Sequence, residues 1–176
     1  MPKMSTNNVD VIKMIGKYLD VSVGAVCYNT DKVPTAVLEN KNVEGFVTII
    51  LSMVSKCGTA SSEEQRLLTY QWLEYISMFS NQAVANSTFA FKFLQEINRA
   101  LQSNTYLTGQ FLTIADVALY YIVYPLLEHM SVAERDAFVH LCRWSKHIQA
   151  QPRVCHNRPP LPLNAVSLSV LAPAVH

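Results

Sequence analysis

Apolar residues at helical spacing open the chain. Val9, Ile12, Ile15 and Leu19 recur along one side of residues 8–20, and Asn7 or Asn8 is placed to cap the helix start. Two short alternating stretches follow, VGAVCYN at 23–29 and VPTAVLEN at 33–40. Each is closed by polar turn residues, Asn29 to Lys32 and Asn40 to Asn42. They predict two strands, and Pro34, with no N–H to give a ladder, belongs at a strand start or a sheet edge. Residues 43–56 are rich in β-branched side chains, yet Phe46, Ile49, Ile50, Met53 and Val54 keep the i, i+3, i+4 spacing of a helix. Residues 1–58 therefore predict helix, strand, strand, helix.

Beyond Gly58 the pattern is helical. Ser61, Ser62, Glu63 and Glu64 read as a capping box opening a long helix that runs to Ser80. Phe89, Phe93, Ile97 and Leu101 mark a helix over 87–102, and an ordered connection covers 105–112. The next helix spans 113–129, with Pro125 expected to kink it. Ser131 to Glu134 form another capping box before a short helix, and a last helix over 141–151 stops at Pro152. Five of the eight prolines lie at or beyond Pro152, so residues 153–176 read as a flexible tail. The expected organisation is a small mixed subdomain over 1–58, a helical domain over 59–152, and that tail.

Composition narrows the function classes. Half the residues are hydrophobic and only 15% are charged, below the usual quarter or so. This excludes a disordered, solvating chain and implies apolar surface to spare for a partner. A formal net charge of +1 gives no global field to hold nucleic acid. No apolar run reaches the roughly 18 residues of a membrane span, and the N-terminal residues lack the apolar core of a secretory signal. The five glycines are scattered, which excludes a glycine-rich phosphate loop. The four cysteines, Cys27, Cys57, Cys142 and Cys155, form no C-x-x-C pair and are expected to be reduced thiols of the cytosol or nucleus.

The most informative stretch is FLTIADVALYY, 111–121. Thr113 and Asp116 make a capping box, Leu112 and Val117 can close a hydrophobic staple, and the carboxylate sits at the positive end of the helix dipole. A capping box is common. Its place in a long apolar helix, late in a helical half that follows a mixed half, is not. Together with Gln71-Trp72-Leu73-Glu74-Tyr75, Tyr106-Leu107-Thr108-Gly109, Leu119-Tyr120-Tyr121, Arg143-Trp144, His147-Ile148-Gln149 and Pro152, it resembles the glutathione-transferase (GST) architecture, a thioredoxin-like half followed by a helical half. The resemblance is strongest to the GST-like auxiliary scaffolds of multi-aminoacyl-tRNA-synthetase complexes, of the elongation factor one epsilon type. It covers about residues 65–152. Residues 1–60 match in layout more than in letters, and the proline-rich tail does not match.

The resemblance implies an α+β, GST-like fold with a truncated thioredoxin-like half, no catalysis and no cofactor. A transferase places a hydroxyl or thiol at the end of a first strand or the start of the first helix. Here the chain begins with the helix, and Ser5 and Thr6 read as ordinary caps. Pro34 matches the family proline whose backbone holds the cysteinyl part of glutathione, or is simply a turn-forming edge proline. Glu44-Gly45 stands in place of the Glu-Ser pair that grips the γ-glutamyl carboxylate, and Gly45 has no hydroxyl. The alternatives are a divergent glutathione transferase and a GST-like subunit of elongation factor one.

Two partner contacts are expected. On a helical wheel, the apolar arc of residues 44–56 covers roughly 200° and that of 63–80 roughly 240°, wider than the ~100° one core contact needs. The resemblance makes these helices the face that pairs with the GST-like domain of methionyl-tRNA synthetase, with Val47, Ile50, Leu51, Leu68 and Trp72 contributing. Burial within the subunit is the other reading of those arcs. Arg143 lies near the start of the last helix, where a cation opposes the dipole. By resemblance it contacts the GST-like domain of glutamyl-prolyl-tRNA synthetase; otherwise it is a surface arginine beside core Trp144. His140, Cys142 and His147, or Cys155-His156, supply no closed four-ligand set, so no metal is expected. The resemblance implies a cytoplasmic location, a nuclear role in DNA-damage signalling, and no direct nucleic-acid or membrane binding.

Overall fold

Asn7 stands in extended backbone and its Oδ1 accepts the Asp10 N–H at 2.9 Å, which starts the first helix where the sequence predicts it. The computed structural model describes residues 7–58, 61–156 and 158–163. Helix α1 (Asn8–Leu19) buries Val11, Ile12 and Ile15. It ends at Asp20 in the left-handed region, and Val21 returns its N–H to Gly16 O. A Cβ on Gly16 would stand 2.6 Å from Val23 Cγ2 and 3.3 Å from Val21 O, so a larger residue at this crossing of helix and following chain would force Val23 to shift.

Three strands follow, where the sequence predicts two. β1 (Val26–Tyr28), β2 (Pro34–Leu38) and β3 (Lys41–Glu44) form an antiparallel sheet in that order, with Val26 opposite Ala36 and Ala36 opposite Val43. The layout of the first subdomain is therefore helix, strand, strand, strand, helix, a correction to the expected order. Glu39 and Asn40 both have positive φ, 51° and 62°, which makes a two-residue hairpin turn rather than a strand end. β3 escapes the alternation test because Val43 is its one apolar residue on a short edge. Helix α2 (Phe46–Lys56) begins three residues later than the pattern suggests, since Val43 and Glu44 belong to β3.

The helical half is close to expectation. α3 (Glu63–Ala85) is capped by Ser62, whose partner in the box is Gln65 rather than the predicted Glu64. α4 (Ser87–Ala100), α5 (Ile114–Glu128), α6 (Val132–Asp136) and α7 (Val139–Gln149) complete it. α5 is buried at every residue from Ile114 to Tyr124 and packs on α1, α3 and α7. The two halves also meet through a buried hydrogen bond from Ser80 Oγ to Asn8 Oδ1, 3.0 Å.

Asp116 does more than cap. Its Oδ1 accepts the Leu107 N–H (2.8 Å) and the Trp144 indole N–H (2.9 Å), and its Oδ2 accepts from Thr113 N and Thr113 Oγ1, both 3.0 Å. The residue is wholly buried. Burial raises its carboxyl above the ordinary carboxylate range, against the lowering pull of these four hydrogen bonds.

The reading of everything from residue 153 as a flexible tail is corrected for its first part. Val154, Leu161 and Leu163 are buried in the core, and side-chain donors from α5, α6 and α7 hold the carbonyls of this segment. Proline richness signalled irregular backbone, which need not be loose. Residues 164–176 of that tail lie outside the described residues.

Asp116→Ala leaves the buried Leu107 and Trp144 N–H groups without acceptors. It is expected to lower unfolding stability by about 3 kcal/mol or more, measured by urea denaturation followed by circular dichroism. Thr113→Val, which keeps the backbone donor, should cost clearly less.

Candidate functional site

Helix α2 carries two of the residues expected on a docking face, and the structure moves both indoors. Val47 is 5% exposed and Ile50 0%, because α1, the sheet and α3 together use up the wide apolar arc of α2. They are core residues, a correction to their assignment as contact residues. Leu51, at the edge of the arc, is half-buried.

On α3 the surplus is real. Leu68 and Trp72 are half-buried, and Leu67 (58% exposed), Tyr70 (46%) and Met78 (65%) stand in solvent. Leu67 and Met78 are eleven residues apart, three turns along one side of the helix or about 16 Å. The half-buried rim beside them rests on an aromatic ladder. Trp72 meets Tyr75 edge-on at 5.7 Å, Tyr75 stacks on Phe93 of α4 at 5.8 Å, and Phe79 stacks on Phe89 at 6.0 Å. Leu67 and Met78 both fall within the apolar arc of residues 63–80, which by itself does not single them out. Their place at its outer margin, farthest from the buried Leu73 and Ile76, is the signal that marks them.

A second surface lies between the α4–α5 connection and α7. Arg143 is exposed, and its Nη2 donates to Leu101 O (2.6 Å) and Asn104 O (2.8 Å). The cation that opposes its own helix dipole thus answers the negative end of α4. The reverse also holds, for Asn98 Oδ1 of α4 accepts the His140 and Leu141 N–H groups at the start of α7. Tyr106 Oη pairs with His147 Nε2 at 2.8 Å. Thr105, Arg143, Trp144, Lys146, His147 and Ala150 line a groove of about 440 Å³ here, and Phe111 of the same connection is 66% exposed.

The residues that would mark a transferase site are placed otherwise. Pro34 O accepts the Gly45 N–H (2.9 Å), Val33 N–H donates to Asn29 Oδ1, and Val33 O accepts the Asn29 N–H, each 2.9 Å. The backbone at this proline is engaged within its own turn. Gly45 has φ +94°, where an L-residue such as serine is strained, so the missing hydroxyl follows from the conformation of the β3–α2 junction. Glu44 is exposed, and Ser5 and Thr6 lie outside the described residues.

Asp116 is buried and Thr113 half-buried, and the two are bonded to each other at the start of α5. Cys142 is buried, its thiol pushed up by burial and bonded to Arg135 O. Cys155 bonds Gln149 O, and His156 Nε2 lies 3.2 Å from Tyr121 Oη. Among the described residues no group of three His, Cys, Asp or Glu converges as a metal site would require, and no helix is long and apolar enough to cross a membrane.

The human protein named eukaryotic translation elongation factor 1 epsilon-1 is 26% identical over 151 residues, covering 81% of this chain and 86% of its own. Its Chinese hamster (Cricetulus griseus) counterpart is 27% identical over the same length and coverage. The mouse protein of that name is 27% identical over 115 residues, covering 62% of this chain and 65% of its own. The family model described as nuclear-export cofactor Arc1p matches residues 65–152, half of the chain, from the start of α3 to the proline after α7. The chain belongs to the Arc1p N-terminal-like cofactor family.

Proposed function

We propose that this protein is a non-catalytic scaffold with a GST-like arrangement, joining aminoacyl-tRNA synthetases in the cytoplasm through two separate faces. The observation that carries this is the apolar strip of α3, Leu67 and Met78 in solvent beside the half-buried Leu68 and Trp72. Leu67 and Met78 flank the exposed Gln71 and the half-buried Glu74 on this face, and the half-buried Leu68, Trp72, Tyr75 and Phe79 beside them form the continuous apolar edge, on an aromatic base suited to a preorganised interface. The family and the names of the relatives, which are translation factors, support the same direction.

In this reading the α3 strip, with Leu51, Leu68 and Trp72 at its rim, pairs with the GST-like domain of a methionyl-tRNA synthetase. Arg143 and its groove take the GST-like domain of a glutamyl-prolyl-tRNA synthetase. The outer nitrogens of Arg143, Nη1 and Nε, are the part of the fork not used on α4, and a planar guanidinium so held offers directed donors and a stacking face. The engaged backbone at Pro34 and the positive φ of Gly45 argue against a glutathione transferase. A subunit of elongation factor one is the second reading, favoured by the names of the relatives. Mass spectrometry of a native pull-down distinguishes the two: synthetases for the scaffold, elongation-factor subunits for the alternative.

The faces are expected to fail one at a time. Leu67→Asp with Met78→Asp should weaken methionyl-tRNA synthetase capture at least about tenfold and leave the melting temperature nearly unchanged, because both side chains are already wet. Arg143→Ala should cost about 1 kcal/mol of stability through the lost α4 cap and weaken the glutamyl-prolyl contact alone. Unaltered capture by either variant removes that face from the scheme, which a pull-down with each synthetase domain measures.

A further inference from the structure

Residues 158–163, Arg-Pro-Pro-Leu-Pro-Leu, lie in a groove made by α5, α6 and α7, away from both faces above. Proline offers a carbonyl and no N–H, so a proline-rich segment is recognised by donors set at the right intervals. The groove supplies them. Tyr124 Oη donates to Pro159 O at 2.8 Å, Gln149 Nε2 to Leu161 O at 3.0 Å, and Arg135 Nη1 to Pro162 O at 2.9 Å. The single N–H between Pro159 and Pro162, that of Leu161, donates to Gln149 Oε1 at 3.0 Å. One glutamine amide thus pairs with both backbone groups of Leu161, as a neighbouring strand would, and Tyr120 Oη holds that amide by donating to the same Oε1 at 3.3 Å. Leu161 and Leu163 fill apolar sockets at 6% and 9% exposure.

This is direct readout of a Pro-Pro-Leu-Pro backbone plus a leucine socket. The occupant fits incompletely. Arg158 lies over the Tyr124 ring with its guanidinium carbon 5.1 Å from the centroid, yet among the described residues its buried Nη1 has no hydrogen-bond partner, and neither has the buried Nε of Arg135. No carboxylate pairs with either arginine among the described residues.

We propose that the groove of Tyr120, Tyr124, Arg135 and Gln149 is a recognition site for a proline-rich Pro-Pro-Leu-Pro segment of a partner protein, and that residues 158–163 fill it in the free chain as a displaceable internal ligand. The site does not depend on the scaffold reading.

The test uses the full chain and a fluorescent hexapeptide with the sequence of residues 158–163. Leu161→Asp removes the internal competitor, which by tethering acts at an effective concentration on the order of millimolar. The variant is expected to bind the hexapeptide at least about tenfold more tightly than the unmodified chain, and adding Gln149→Ala should abolish that binding. A folded Leu161→Asp chain with no gain, or binding that survives Gln149→Ala, overturns the proposal. If Leu161→Asp loses its native circular dichroism, the unmodified chain decides. Millimolar hexapeptide should speed hydrogen exchange at the Leu161 amide several-fold while leaving α5 amides unchanged. Exchange at Leu161 that ignores the peptide makes the segment a fixed part of the fold and overturns the proposal.

Discussion

One buried carboxylate holds three stretches of this chain to one another. Asp116 accepts from the connection at Leu107, from its own helix start at Thr113 and from the indole of Trp144 on α7. A wholly buried tryptophan needs a partner for its N–H, and a buried carboxylate needs donors for its lone pairs. Each requirement here is met by the other. The arrangement is costly by itself, since burial pulls the carboxyl upward against the donors. At a site so buried, a lost partner would leave its mate unpaired, which costs more than the burial of the satisfied set.

From that centre the outer helices are set by mutual capping. Asn98 of α4 closes the start of α7, whose own N-cap residue Phe138 offers no side-chain acceptor, and Arg143 of α7 closes the end of α4. Polar groups at both helix ends are satisfied by the facing helix rather than by water. The α4–α5 connection is pinned at Leu107 by Asp116 and at Asn104 by Arg143. Thr105 and Tyr106, which border the groove beside α7, therefore stand on a fixed loop.

How much of this was written in the sequence depends on how local each signal is. The α5 box at Thr113 and Asp116 and the Ser131 box are short-range features, and they appear where the letters place them, whereas the last helix runs Val139–Gln149 and stops before the predicted end next to Pro152. β3 was hidden because an edge strand of four residues with one apolar side chain carries no period. Val47 and Ile50 were misassigned because an arc on a wheel counts apolar area without knowing how many neighbours will cover it. The reach of Asp116 to Trp144, 28 residues on, and of Arg143 to Leu101, 42 residues back, are tertiary facts that no window reveals. Gln149 pairing with Leu161 belongs with them, and it turned a proline-rich stretch from a tail into packed structure.

The places where transferase chemistry would sit and the places that hold this fold together are different places. Gly45 and Pro34 lie where β2 and β3 lead into α2, and their backbone serves a turn and a helix start. Asp116, Trp144 and the capped pair α4 and α7 lie in the helical half. A change that removes a hydroxyl at the first location leaves every hydrogen bond of the second intact. An architecture so divided can change at one location and keep its shape at the other. On the surface, α3 can carry Leu67 and Met78 in water because the aromatic ladder beneath, and not those two side chains, holds the helix in place.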